Sequence, residues 1–172
     1  TLIIRPSEIS PLSAYILGEI LHDINFPAGV VNIIAGPSSK VAKVMTTSKI
    51  PAVLTMIGST TTGLKIIEES TTSIKKFGME LGGNAPFIVF DDADIEHALD
   101  LAIALKYGNT GQICVAANRI MVHKNLYDKF VEVYVKRASE LVLGFGTKEN
   151  SEVFMGPMAS RKGRDRMFDL IQ

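Results

Sequence analysis

The stretch MELGGNAPFIVFDDAD, Met79 to Asp94, decides how the chain folds, because two textures meet inside it. Upstream of Glu80, short apolar runs alternate with amphipathic ones, the pattern of parallel strands joined by crossover helices. Strands are expected at Leu2 to Ile4, Val30 to Ile34, Ala52 to Ile57 and Lys75 to Leu81, and helices at Leu12 to Asp23, Ser39 to Thr47 and Thr60 to Ser70. Asn25 to Gly29 and Gly36 to Pro37 carry the turn residues that punctuate them.

Downstream, LGGNAP reads as a loop and Phe87 to Phe90 as a short strand. Asp94 is placed to cap a helix over Ile95 to Tyr107. Arg119 to His123 follows as a strand. A second helix is expected over Leu126 to Leu143, with Phe130, Val133, Tyr134, Ala138, Leu141 and Val142 on one face. Gly144 to Asn150 and Gly156 to Lys162 read as surface loops. The fold class is therefore α/β: a Rossmann-like parallel sheet with crossover helices over residues 1–82, joined at Gly82 and Gly83 to part of a second α/β domain over residues 83–172.

Composition narrows the function. The chain has 172 residues, 47% of them hydrophobic, with 18 basic residues against 18 acidic ones. That is enough apolar material for a core, and the balanced charge leaves no electrostatic footprint for nucleic acid or an anionic membrane. No apolar run reaches the roughly 20 residues of a membrane span, and a single cysteine cannot form an internal disulfide. The opening TLIIRPSEIS lacks the features of a secretory signal. A cytoplasmic protein with a small-molecule partner is expected.

Four stretches carry candidate chemistry. In NTGQICVAANR, Cys114 is either an inert small hydrophobe or a nucleophile that works as its thiolate, with backbone N–H groups at an expected helix start to stabilise charge. Glu80, ending an apolar strand before two glycines, is either a solvated strand-end carboxylate or a general base acting on water or the thiol. In IGSTTTG, Gly58, Ser59 and Gly63 flank a strand-to-helix turn suited to a pyrophosphate, or else Ser59 or Thr60 simply caps the helix. In RPSE, just past the first strand, Arg5 and Glu8 can donate to and accept from a ribose, or form an exposed ion pair. His22, His97 and His123 are scattered in no metal-binding spacing, so no metal is expected.

Taken in order, these stretches resemble the aldehyde dehydrogenase superfamily over essentially all of the chain. RPSE is similar to its adenosine-ribose motif, IGSTTTG to its pyrophosphate segment, ELGG to its general-base motif and GQIC to its nucleophile motif. The resemblance implies that Cys114 adds to an aldehyde as a thiohemiacetal, that hydride passes to NAD or NADP, and that Glu80 activates the water hydrolysing the resulting thioester to a carboxylic acid. It implies that the Cys114 N–H forms half of an oxyanion hole and that Leu81 approaches the nicotinamide. Gly58, Ser59 and Gly63 would lie along the pyrophosphate, and Arg5, Ser7 and Glu8 near the adenosine ribose.

It also makes residues 1–82 the second part of a dinucleotide-binding domain and residues 83–172 the first part of a catalytic domain. NAPFIVFDDAD and CVAANR are similar to the succinate-semialdehyde dehydrogenase branch. That branch often carries an arginine where this chain has Gly108, and its redox-switch members a second cysteine where this chain has Ala116. An uncharged small aldehyde or a hydroxyaldehyde is thus as compatible as a semialdehyde. Arg5 replaces the usual lysine and with Ser7 could welcome a 2′-phosphate, whereas Glu8 would repel one; of the two pulls, that of Glu8 is given the greater weight, and NAD is expected over NADP. The family's P-W-N and E-x-F-G-P motifs are not in the chain. The expectation is a central fragment, inactive by itself, of an enzyme that is a homo-oligomer when whole. The alternative is a non-catalytic nucleotide-binding or interaction fragment of the same fold. A cysteine acyl-transfer enzyme would want a histidine base, and none of the three histidines has a suitable motif.

Overall fold

A computed structural model describes residues 1–146 and 152–171 and divides them into two compact units, Thr1–Leu81 and Gly82–Gln172. The expected loop residues Thr147 to Asn150 lie outside the described residues.

In the first unit, β1 (Leu2–Ile4) runs into α1 (Leu12–Asp23) and returns as β2 (Val31–Ile33), which pairs parallel with β1, Leu2 opposite Val31 and Ile4 opposite Ile33. Asn25 ends α1 by turning left-handed at φ 53°. Its N–H and that of Phe26 then reach back to the carbonyls of His22 and Leu21, at 2.9 Å each. The plan repeats: β3 (Val53–Ile57), α3 (Thr60–Glu69) and β4 (Lys76–Glu80) form a second parallel pair, with Ile57 opposite Glu80. Between the pairs, α2 (Ser38–Thr47) packs on α3, where the buried Thr46 hydroxyl donates to Glu69 Oε2 at 3.3 Å. Parallel strands with crossover helices are thus as expected. The hydrogen-bonded ladders are two separate pairs, not one four-stranded ladder.

In the second unit, β5 (Ala85–Val89) and β6 (Ala117–Val122) pair parallel across α4 (Ile95–Tyr107). The register shifts at Ala85 and Pro86, where proline has no N–H for the ladder. Asp94 caps α4, accepting from the N–H groups of Glu96 and His97 at 3.0 and 3.1 Å. The core is built where α4 and α5 (Lys124–Ser139) lie on the strands: Val89, Ala98, Leu99, Ala102 and Phe130 are buried, Leu99 at 0% exposure. Phe130 stacks on Tyr134, and Arg137 of α5 forms ion pairs with Glu96 and Asp100 of α4.

Three expectations need correction. The strand β5 begins inside the expected LGGNAP loop, because Ala85 and Pro86 already pair with Ala117 and Arg119 of β6, and it ends at Val89, one residue before Phe90. The helix α5 stops at Ser139, so Leu141 and Val142 do not extend its apolar face. Val142 instead accepts the Phe154 N–H at 2.9 Å beside a Leu143–Met155 bridge, and extended pairing removes it from the helix. The expected loop over Gly156 to Lys162 runs into a further helix, α6 (Arg161–Ile171). Ser160 caps it by accepting from the Gly163 N–H at 3.1 Å. Gly163 and the surrounding charges hide the helix from apolar periodicity.

Candidate active site

The RPSE stretch leaves β1 and folds back onto the start of α2. That helix begins after Pro37, which has no side chain able to cap it. Glu8 supplies the missing acceptor from thirty residues upstream: its Oε1 accepts from both the N–H and the hydroxyl of Ser38, each at 2.5 Å. The guanidinium of Arg5 closes the group, with Nη2 2.7 Å from Glu8 Oε1 and 2.5 Å from Ser38 Oγ. The Ser38 hydroxyl, then the Ser38 N–H, and also Arg5 hold the Glu8 carboxyl below its ordinary range. Ser7 closes the local turn by accepting from the Ile9 N–H at 3.2 Å. Arg5 Nε is buried and meets no protein acceptor. The ion pair weighed from sequence is present. Ser38 was not visible as its partner, although an uncapped proline at a helix start is the signal that a distant acceptor is wanted.

At the second pair, Ser59 is the N-cap of α3, accepting from the Thr62 N–H at 3.2 Å and lying 2.8 Å from the Thr62 hydroxyl. Capping is therefore what Ser59 does in this structure. Gly58 donates to the Glu80 carbonyl at 2.9 Å, which places the pyrophosphate candidates beside the end of β4. Gly63 is buried, and a Cβ there would stand 2.9 Å from Leu81 Cδ2. A side chain at that point would displace Leu81. Among the described residues, no hydrogen bond joins the group of Arg5, Glu8 and Ser38 to Gly58, Ser59 or Gly63. Glu80 is exposed, at the last position of β4.

Cys114 lies in the second unit and is exposed. It does not stand at a helix start, as expected, but in a turn between a short 3-10 segment (Gly108–Gly111) and β6. The reason is local. Gly108 ends α4 by turning to ψ 137°, and Asn109, Thr110 and Gly111 then take φ values of 51°, 59° and 69°, which leave no right-handed helix to resume. Asparagine tolerates the left-handed region, but for the β-branched Thr110 it costs about 1–2 kcal/mol, so this turn needs outside support. The support comes from Thr110, whose hydroxyl donates to the Gly156 carbonyl at 2.9 Å, and from Gln112, whose Oε1 accepts the Ala159 N–H at 3.0 Å.

A second brace comes from the double glycine. A Cβ on Gly83 would stand 2.8 Å from the Cys114 carbonyl oxygen, so only glycine admits the approach seen here. Asn118 adds a longer contact, its Nδ2 donating to the Gly83 carbonyl at 3.4 Å. What approaches the second glycine is the turn that carries the cysteine, a partner not visible in the ELGG string itself. Glu80 belongs to the first unit and Cys114 to the second.

The three histidines serve helix ends. His22 lies in the last turn of α1 and His97 in the first turn of α4, while His123, expected at the end of a strand, is the N-cap of α5. Among the described residues no group of His, Cys, Asp and Glu is arranged to hold a metal, and no helix is long and apolar enough to cross a membrane. A shallow concavity lined by Tyr15, Gly18, His22 and Ile33 contains none of the candidate residues.

Known proteins resemble this chain along its whole length. A model described as the aldehyde dehydrogenase family matches residues 1–172. Glutarate-semialdehyde dehydrogenase of Pseudomonas putida is 41% identical over 172 residues, which are 100% of this chain and 35% of that protein. An NADP(+) succinate-semialdehyde dehydrogenase of Escherichia coli is 40% identical over 162 residues, 94% of this chain and 33% of that one. Among solved structures, an aldehyde dehydrogenase from Brucella melitensis superposes with a TM-score of 0.89 at 40% identity, covering 99% of this chain and 35% of its own. Betaine aldehyde dehydrogenase of Staphylococcus aureus in complex with NAD+ gives 0.88 at 34% identity, covering 99% of this chain and 34% of its own. The chain thus spans about a third of the length of the relatives it matches. It belongs to the aldehyde dehydrogenase family.

Proposed function

We propose that the whole protein oxidises an aldehyde to a carboxylic acid with NAD(P), that Cys114 is its nucleophile and that Glu80 is its general base. The observation that carries the reading is the exposed Cys114, set in a strained turn braced by the second glycine of the ELGG motif. An inert cysteine needs neither exposure nor a strained, doubly held backbone.

The Cys114 thiolate adds to the carbonyl carbon, forming the C–S bond of a thiohemiacetal, while the Cys114 N–H donates to the oxygen that gains charge. A dinucleotide held by the first unit would supply the hydride acceptor, and Cys114 would then carry the former aldehyde carbon as a thioester. Glu80 takes a proton from water as its oxygen attacks the thioester, and the C–S bond breaks to release the acid and the thiolate.

The first unit has features that fit a dinucleotide. Gly58 and the start of α3 offer a small-residue approach and helix N–H groups to a pyrophosphate. Arg5 Nε is a buried donor still lacking an acceptor, and Glu8 is a carboxylate held ionised by Ser38. We assign Arg5, Ser7 and Glu8 to the adenosine ribose, Gly58, Ser59 and Gly63 to the pyrophosphate, and Leu81 to the nicotinamide side. An ionised Glu8 repels a 2′-phosphate, which favours NAD over NADP. Residues 1–82 then belong to a dinucleotide-binding domain and residues 83–172 to a catalytic one. The substrate is a small aldehyde. Gly108 offers no side chain to grip a second, charged end, so an uncharged aldehyde or a hydroxyaldehyde is as compatible as a semialdehyde. A cytoplasmic homo-oligomer completes the reading.

The test is Cys114→Ala in the whole protein. Aldehyde oxidation should fall below about a thousandth of the parental rate while dinucleotide affinity stays within about twofold. Oxidation persisting above that level would remove Cys114 from the mechanism.

A further inference from the structure

The turn presenting Cys114 is held by side chains to which the mechanism above gives no work. Asn109 and Thr110 are both left-handed, and Thr110 is β-branched, the kind of residue least at ease there. Around them the carboxamide of Gln112 is used at both ends. Its Nε2 donates to the Asn109 carbonyl at 3.0 Å, and its Oε1 accepts the Ala159 N–H at 3.0 Å. Asn109 answers by donating from Nδ2 to the Gln112 carbonyl at 3.1 Å, and the Gln112 N–H also points to the Asn109 carbonyl at 3.1 Å. The Thr110 hydroxyl bonds the Gly156 carbonyl at 2.9 Å, giving the turn a second attachment to the same distant segment.

We propose that Gln112 is a positioning residue for Cys114: it staples the left-handed turn of residues 109–112 to the Gly156–Ala159 segment and so fixes the direction in which the thiol is presented. The inference rests on the reading of Cys114 as nucleophile. The chemistry explains the residue type. The site needs one donor and one acceptor on a single planar group, which an amide provides and an ionised carboxylate does not. Asparagine carries the same amide on a stem one methylene shorter, too short to span both partners. A general structural role would lower fold stability and dinucleotide binding alike, whereas a positioning role acts on the thiol.

The test compares Gln112→Ala and Gln112→Glu with the parent in the whole protein. The readouts are the single-turnover rate of dinucleotide reduction, the dinucleotide dissociation constant and the rate of iodoacetamide alkylation at Cys114. Reduction should slow by about 10²-fold, since a misplaced reacting group costs about that much, while the dissociation constant stays within about twofold. Alkylation of Cys114 should change in the same variants. Thr110→Val, which deletes the second attachment at nearly constant size, should slow reduction in the same direction. A loss under about tenfold in both Gln112 variants would overturn the proposal. So would reduction and dinucleotide binding falling together, or failure of both variants to fold, because either describes a residue the fold as a whole requires. Cys114→Ala run beside them separates the two claims. Turnover by that variant refutes the nucleophile, whereas an inactive Cys114→Ala with parental Gln112 variants refutes the staple alone.

Discussion

Replacing Gly83 with alanine tests how closely the double glycine and the cysteine turn are fitted. The added Cβ would stand 2.8 Å from the Cys114 carbonyl oxygen, a backbone atom that cannot rotate away. Carbon and oxygen ordinarily settle at about 3.3–3.6 Å, so one of the two segments has to move by roughly half an ångström. The turn is the softer side, but it runs directly into β6, whose first residue, Ala117, is 2% exposed. Overpacking of this kind costs about 1–3 kcal/mol in stability. In catalysis, misplacing a reacting atom by about 1 Å costs about 10²-fold, which puts the expected loss in kcat near tenfold for half that shift. Gly82 is the internal control, because a Cβ there meets nothing within 4 Å. Steady-state kinetics on Gly82→Ala and Gly83→Ala, with urea unfolding of each, should show the second variant slower and less stable and the first close to the parent. Equal behaviour of the two would refute the close approach of Gly83 to Cys114.

Glu80→Gln keeps the shape of the side chain and removes the base, so rapid-quench kinetics should show a burst of reduced dinucleotide followed by slow turnover; an unchanged steady-state rate would take Glu80 out of thioester hydrolysis. Glu8→Ser should raise the use of NADP relative to NAD by about tenfold or more, read as the ratio of specificity constants, because it removes the like charge that faces a 2′-phosphate; an unchanged ratio would mean that Glu8 does not face the ribose. The Glu8 carboxyl is held below its ordinary range in the fold. Its hold on Ser38 therefore stabilises the protein above that range and is lost as pH falls through the lowered value. The difference in thermal midpoint between parent and Glu8→Gln should accordingly be largest near neutral pH and shrink in acid. Leu99 is 0% exposed in the core of the second unit, so Leu99→Ala should cost about 2–5 kcal/mol by denaturant unfolding.

The sequence disclosed what is periodic or local and missed what is held by distant partners. Ile95 to Tyr107 was legible as a helix because apolar spacing and the Asp94 cap agree, and Leu12 to Asp23 from its amphipathic run without a capping side chain; the observed bounds of both coincide with the expected ones. The helix over Arg161–Ile171 was hidden, because a run of charges around Gly163 carries little apolar rhythm and its cap at Ser160 lies inside a loop-like string. Among site residues, Cys114, Glu80 and the RPSE and IGSTTTG stretches stood out as unusual strings. The partners Ser38, Gly156 and Ala159 did not: each acts through a backbone group or a hydroxyl thirty or more residues from the atom it meets. The mistaken helix start at Cys114 has the same origin. Nothing in Asn109 and Thr110 by themselves announces two left-handed residues in succession, because the support for them comes from elsewhere in the chain.

The central claim is that Cys114 becomes covalently bonded to the substrate carbon, and mass spectrometry of the trapped enzyme tests it most directly. The whole protein carrying Glu80→Gln would be mixed with a small aldehyde and oxidised dinucleotide, quenched in acid and digested. The account predicts that the peptide containing Cys114 gains the mass of the acyl group, and that omitting the dinucleotide abolishes the gain, because the thiohemiacetal reverts on quenching. An unmodified Cys114 peptide during active reduction of the dinucleotide, or an acyl group on any other residue, would contradict it.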